Sequence, residues 1–155
     1  MKTRRLSRGL AGLIGLSLSL AVSAAWAQAT SFSSFTFTLA GTVAGGSEAL
    51  NCSGPVKVTA MIVKDPSMPP NSIVSLDTRL LSCKGATTGA AYKNSGQATL
   101  TRLLGPTDQV QTAISLYPNT PDGFMHARTG VATLNLSYNV TAGALVGVSG
   151  TLAGQ

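Results

Sequence analysis

Residues 130–153 read GVATLNLSYNVTAGALVGVSGTLA, and this stretch decides the fold class. Apolar and polar residues alternate on both sides of Thr141-Ala142-Gly143, which is the period-two pattern of β-strands. In an antiparallel pair the numbers of two opposed residues have a constant sum, and a sum of 284 puts Leu136 opposite Val148 on an apolar face. Gly143 suits the left-handed position of a three-residue loop. The stretch therefore predicts a β-hairpin.

Two further pairs of runs predict hairpins by the same test. On either side of the Pro-rich segment 65–71, an index sum of 136 places apolar residues opposite one another. Around Gly105-Pro106-Thr107-Asp108, a sum of 214 does the same and opposes Leu100 with Ile114. In each pair the other face is mainly polar, because successive side chains of a strand point to opposite sides.

The rest of the chain after the leader also alternates with a period of two, and no segment of ten or more residues carries a helical stripe. The candidate strands are 33–43, 55–64, 72–82, 90–93, 97–104, 109–117, 130–140 and 144–153. Each hairpin has one apolar face that needs cover, so two sheets should pack face to face. We expect an all-β fold, namely a two-sheet antiparallel β-sandwich of immunoglobulin-like or similar type with one disulfide. A small β-barrel is the alternative.

Cys52 and Cys83 are the only cysteines in the sequence. An even pair in an exported chain predicts one disulfide. Their index sum is 135, one less than the sum of 136 expected for that hairpin, so we expect the bond at the open end of the hairpin, through a bulge or a diagonal contact. Neither a C-x-x-C pair nor a basic pocket points to redox chemistry, so the expected role is structural.

The first 29 residues have the three parts of a secretory signal peptide. Four basic residues precede residue 9, an uncharged apolar run covers 10–25, and an A-x-A pattern ends at Ala29. We expect cleavage after Ala27 or Ala29 and favour Ala29; an N-terminal membrane anchor is the alternative.

The predicted cleavage divides the chain into a leader, 1–29, and a single β-sandwich domain, 30–155. The domain holds seven Lys and Arg against five Asp and Glu, so its net charge is only +2, and the cations are scattered. This distribution argues against a nucleic-acid partner. The leader and the disulfide predict a periplasmic or secreted protein with no transmembrane span after cleavage.

Catalytic and metal-binding patterns are missing from the sequence. The only histidine, His126, follows Asp122 by four residues in a turn-rich segment, and no G-x-S-x-G elbow supplies a serine. One histidine, two paired cysteines and scattered acids match neither zinc nor calcium spacings. We expect no catalytic, metal-binding or cofactor-binding residues, and therefore no enzyme.

The N-terminal strand of the domain resembles the N-terminal extension of chaperone–usher pilin subunits. The likeness is carried by Phe37-x-x-x-Gly41-x-Val43, then by Cys52 and by Leu80-Leu81-Ser82-Cys83, and it covers about the first third of the domain. It implies a strand that is donated to a neighbouring subunit. The matching positions are Phe35, Phe37, Leu39, Gly41 and Val43. The chain departs from the family in its shorter length and in lacking a tyrosine near its C-terminus.

Three functions are therefore open. The first is an exported, non-catalytic β-sandwich protein with a binding or structural role at the cell envelope. The second is a pilus-type subunit that assembles by strand donation. The third is a small secreted hydrolase, in which Asp122 and His126 would need to meet a third polar group in a pocket, or a hydrolase inhibitor, for which the segments 65–71 and 117–123 are the candidate loops. The sequence names no partner; self-assembly, another envelope protein and a glycan are the candidates.

Overall fold

Strands make up most of the chain in the computed structural model, which describes residues 29–94 and 96–154. The strands are β1 (Ala29–Val43), β2 (Leu50–Lys64), β3 (Asn71–Asp77), β4 (Ser82–Gly85), β5 (Ala91–Asn94), β6 (Gln97–Leu103), β7 (Thr107–Pro118), β8 (Arg128–Asn139) and β9 (Ala144–Gly154). One 3-10 turn, Gly123–His126, lies between β7 and β8. The all-β prediction is confirmed. The expected signal peptide and all but the last residue of its cleavage region lie outside the described residues.

The nine strands form one mixed sheet in the order β1-β9-β8-β7-β5-β4-β2-β3-β6. A further antiparallel pairing joins β1 to β2 over all 15 residues of each strand. On its other edge β2 carries β4 at its beginning and β3 further along. A parallel pairing, the one found among the described residues, joins β1 to β9 at Gly41–Thr42 and Leu152–Ala153.

The β8–β9 hairpin has the predicted register over most of its length. Leu136 lies opposite Val148, and Gly143 has φ 65° in the loop, as expected. A bulge between Ser137 and Tyr138 shifts the last pairs by one residue, so Tyr138 lies opposite Leu145 instead of Val146. The bulge absorbs one extra residue of β9 next to the loop.

The β2–β3 hairpin is correct in its faces but wrong in its register, because opposed residues sum to 134 and not to 136. A shift of two residues leaves every side chain on its predicted face, which is why the alternation test could not detect it. β3 ends at Asp77, and a turn closed by the N–H of Leu81 donating to the carbonyl of Thr78 leads into β4. Leu80 is therefore 72% exposed, whereas the prediction placed it opposite Val56 in the core.

The predicted hairpin between 97–104 and 109–117 is wrong. β6 pairs with β3, with Leu100 opposite Val74, and β7 pairs with β8 and β5. Backbone hydrogen bonds outside the ladders explain the separation: the N–H of Leu104 donates to Pro70, and Pro106 accepts from the N–H of Tyr138. The short link therefore crosses from one group of strands to another. Val110, Ile114 and Leu116 of β7 are buried as predicted, but against different neighbours. Leu100 of β6 is only partly buried.

The Cys52–Cys83 disulfide is confirmed, and its position corrects the expected bulge or diagonal contact. The two cysteines lie directly opposite each other in the β2–β4 ladder, with Cα atoms 4.0 Å apart. The index sum of 135 is the register of β2 with β4, a strand that was not predicted beyond its first residue, Ser82. Both cysteines belong to the buried core.

The core is aliphatic, and among the described residues it includes a buried polar pair, Ser72 and Tyr138. Its largest wholly buried side chains are Leu39, Leu50, Ile62, Leu76, Leu116, Leu134 and Leu136. Ser72 lies among them and forms a 3.1 Å hydrogen bond with the hydroxyl of Tyr138. Burial raises the pKa of Tyr138, and the hydrogen bond satisfies both hydroxyls.

Candidate binding surfaces

A cleft of about 390 Å³ lies where β5 meets the end of β7, beside the 3-10 turn. We call it the end cleft. Its lining consists of Lys93, Asn94, Tyr117, Pro118, Asn119, Thr120 and Gly123. Tyr117 lies opposite Lys93 in the β5–β7 ladder, and its side chain is half-buried. The cleft thus combines an aromatic surface with polar groups at its rim.

The backbone around the end cleft is fixed by hydrogen bonds on two sides. The N–H of Asn119 donates to the carbonyl of Ala91 at 3.0 Å, which extends the β5–β7 pairing past the end of β7. The N–H of Gly123 donates to Thr120 at 3.0 Å and starts the 3-10 turn. A Cβ at Gly123 would overlap the carbonyl oxygen of Pro118, so only glycine lets the turn pack this closely.

Asn94 is a fixed part of the lining of the end cleft, because its side-chain amide forms three hydrogen bonds inside the protein. Its Nδ2 donates to the carbonyls of Thr78 and Leu81, at 2.8 and 2.9 Å. Its Oδ1 accepts from the hydroxyl of Thr78 at 2.9 Å. The polar groups that remain exposed at the rim belong to Lys93, Asn119 and Thr120. These three groups are the ones available to a ligand.

A second groove crosses the outer face of β1, β2, β3 and β6. One part, of about 430 Å³, lies between β2 and the β3–β4 turn, and a neighbouring part of about 280 Å³ continues toward β6. Lys57 and Asp77 line both parts and are directly opposed in the β2–β3 ladder. Asp77 also accepts two hydrogen bonds from Nε of Arg79, at 2.9 and 3.1 Å. These bonds lower the pKa of Asp77 to about 2.

Three other carboxylates accept hydrogen bonds that fix loops, and each has a lowered pKa. Glu48 accepts from the hydroxyl and the N–H of Thr88 and from the N–H of Thr87, and these bonds lower its pKa. The hydroxyl and N–H of Ser67 do the same for Asp65. Nε and Nη2 of Arg102 bind Asp108, each at 2.9 Å, and lower the pKa of Asp108. All three groups are therefore held in the charged form.

His126 and Asp122 lie at the two ends of the 3-10 turn between β7 and β8. Both side chains are exposed at the 3-10 turn, and within the described residues they make no hydrogen bond to each other. The described part of the chain also holds no cluster of three or more His, Cys, Asp or Glu side chains placed for a metal. Between residues 29 and 154, apart from residue 95, no helix is long and apolar enough to cross a membrane.

The predicted assembly strand lies within β1 and packs into its own chain. Leu39 and Val43 are buried, and Phe35 and Phe37 pack against the core with partly exposed rings. Gly41 approaches β9 so closely that a Cβ would overlap the carbonyl oxygen of Leu152. Donation of these residues to a second chain stays a prediction, and it would require β1 to leave β2.

Five of the seven lining residues of the end cleft lie in the segment 117–123, which the sequence suggested as an inhibitor loop, but Lys93 and Asn94 and the cleft itself were not predicted. The run 90–93 was recognised as a strand but had no assigned partner, so nothing placed Lys93 opposite Tyr117. The available signal was the turn-rich segment after Tyr117, which holds two of the seven prolines. Comparison with protein-family models, with curated proteins and with solved structures found no match.

Proposed function

We propose that this chain is an exported, non-catalytic binding protein of the cell envelope, and that the end cleft binds a glycan. The observation that carries the proposal is the aromatic surface of Tyr117 in a cleft whose rim is polar. An aromatic ring covers the apolar C–H face of a sugar, and ammonium, amide and hydroxyl groups bond its hydroxyls. A volume of about 390 Å³ falls in the range of small-ligand sites.

The carboxylates support a non-catalytic role. Hydrolysis of a glycosidic bond uses a carboxylic acid whose pKa is raised, so that it still carries a proton near neutral pH. Glu48, Asp65, Asp77 and Asp108 instead have lowered pKa values and serve as acceptors that hold loops and strands. The hydrogen bonds that these carboxylates accept stabilise their charged form, so the carboxylates are poor proton donors.

Export and a two-layer arrangement complete the proposal. The leader pattern of residues 1–29 and the disulfide both suit an oxidising compartment. The sandwich would place β1, β2, β3 and β6 in one layer, and β4, β5, β7, β8 and β9 in the other. Inward residues of both groups contribute to one core, which supports two layers packed face to face.

The test is a glycan array probed with the exported protein, beside Tyr117→Ala and Lys93→Ala. We expect binding to at least one saccharide, a loss of roughly tenfold or more in Tyr117→Ala, and a smaller loss in Lys93→Ala. Met125→Ala is the matched control, because Met125 is exposed on the neighbouring 3-10 turn and does not line the cleft.

Three results would reject this function or a part of it. Binding to no saccharide would remove the glycan from the proposal, and equal loss in Met125→Ala would remove the cleft. Mass spectrometry would detect any free sugar released from a bound saccharide. Release that is abolished in His126→Ala would show that the protein is an enzyme.

A further inference from the structure

The outer edge of β6 has no partner strand among the described residues. All seven residues of β6, Gln97–Leu103, pair with β3 on one side. On the other side, neither a ladder nor a separate backbone bond engages the strand between its first and last residues. A free edge of this length exposes a row of N–H and C=O groups and is a template for another strand.

The usual protections of an edge strand are weak in β6. The strand contains neither proline nor lysine, and no bulge interrupts its pairing with β3. Its one charge, Arg102, is bound by Asp108 through two hydrogen bonds of 2.9 Å. The ion pair neutralises the side chain that would otherwise repel a second copy. Leu103, at the end of the edge, is 71% exposed.

The sequence of β6 is complementary to itself in one antiparallel register. An index sum of 200 is the only one that pairs all seven residues with a second copy. In that register Leu100, which is only partly buried at the edge of the core, meets Leu100 of the copy. Thr99 lies opposite Thr101, a favourable cross-strand pair, and Arg102 faces Ala98, so no like charges are opposed.

We propose that β6 pairs antiparallel with β6 of a second copy of this chain, related by a two-fold axis at Leu100. The pairing joins β1, β2, β3 and β6 of both copies into one continuous sheet. A two-fold contact of this kind limits the assembly to a dimer, because each copy has one β6 edge and that edge is used in the contact. The end cleft lies on β5 and β7 and stays free, so the dimer does not depend on the proposed glycan.

The test measures the mass of the exported protein by light scattering after size exclusion, at one concentration for all variants. Thr99→Lys/Thr101→Lys places a lysine opposite a lysine twice in each dimer, and we expect self-association to weaken about tenfold or more. Thr99→Glu/Thr101→Lys places glutamate opposite lysine twice in the same register, and we expect it to dimerise like the original chain. Both variants lose the same 3.3 Å hydrogen bond between Thr99 and Ser75, so that loss cannot explain a difference between them.

Ser149→Lys/Thr151→Lys is the control for added charge, because it introduces two lysines at the same spacing on the exposed face of β9, and we expect it to stay dimeric. Hydrogen exchange of the original chain gives an answer that needs no variant: the amides of β6 should exchange more slowly as the concentration rises. A monomeric original chain, a dimeric Thr99→Lys/Thr101→Lys or a monomeric Thr99→Glu/Thr101→Lys would overturn the proposal.

Discussion

At the scale of single residues, side chains stabilise this protein mainly by linking distant parts of the chain. The disulfide is the strongest of these links. Cys52 and Cys83 are 31 residues apart in sequence, and cross-linking them restricts the unfolded chain. The chain-entropy argument gives about 3–4 kcal/mol for a loop of this length. We expect Cys52→Ser/Cys83→Ser to lower the melting temperature by roughly 10 °C, measured by circular dichroism. An unchanged melting curve would contradict a stabilising role for the bond.

Gly41 is the second residue-scale test, because its position tolerates no side chain. In Gly41→Ala the new Cβ would overlap the backbone of Leu152, so β1 and β9 must move apart. We expect a loss of about 1–3 kcal/mol in the free energy of unfolding, measured by urea denaturation. Gly147→Ala is the control: its Cβ would lie 3.7 Å from Ser137, an ordinary contact, and its effect should be small. Equal effects in the two variants would contradict the close approach.

Asp77 links a single ion pair to the acid stability of the protein. Its pKa is about 2 in the folded state against an ordinary value of 3.8. Because the pKa of Asp77 is lower in the folded state than in the unfolded state, its ionised form stabilises the fold. This stability is fully present above about pH 4 and is lost as the pH falls through about 2. We expect the melting temperature to fall over this window, and to fall less in Asp77→Asn. Asp122→Asn, at an exposed carboxylate, should keep the full decline, and identical profiles for all three proteins would exclude a role for Asp77.

At the scale of elements, β1 decides whether the chain is self-contained. It covers one edge of β2 along 15 residues and contributes Leu39 and Val43 to the core. We expect the exported protein to unfold cooperatively, and a version beginning at Ala44 to lose its cooperative melting. The measurement is thermal denaturation of both proteins. A folded truncated protein that captures a peptide of residues 30–43 would instead make strand donation between chains the leading account.

The faces of the elements could be predicted from the sequence, but several of their partners could not. Alternation identifies which residues of a strand point inward, and it did so for Ile114 and Leu136, which are buried. It is blind to shifts of two residues, so it missed the true β2–β3 register. Alternation also does not identify the partner of a strand. The prediction therefore paired β6 with β7, although β6 lies beside β3. The end cleft was missed for the same reason, since it depends on the β5–β7 pairing.

At the scale of the whole molecule, the proposed export would determine whether the cysteines are oxidised. We expect the full chain, expressed in a Gram-negative host, to reach the periplasm and lose residues 1–29, as read from its intact mass. The exported protein should resist alkylation, because Cys52 and Cys83 are joined. A version lacking residues 2–29 should stay in the cytoplasm and accept two alkyl groups per chain. An unprocessed chain in the membrane fraction would favour the N-terminal anchor.

The parallel neighbours β1 and β9 have a mechanical consequence. β1 begins at Ala29 and β9 ends at Gly154, so the two described ends of the chain leave the strand pair in opposite directions. Tension applied between those ends would slide β1 along β9 and along β2, loading many hydrogen bonds at once instead of peeling them apart one by one. A protein tethered by its two ends would therefore resist pulling better than its resistance to heat alone would suggest.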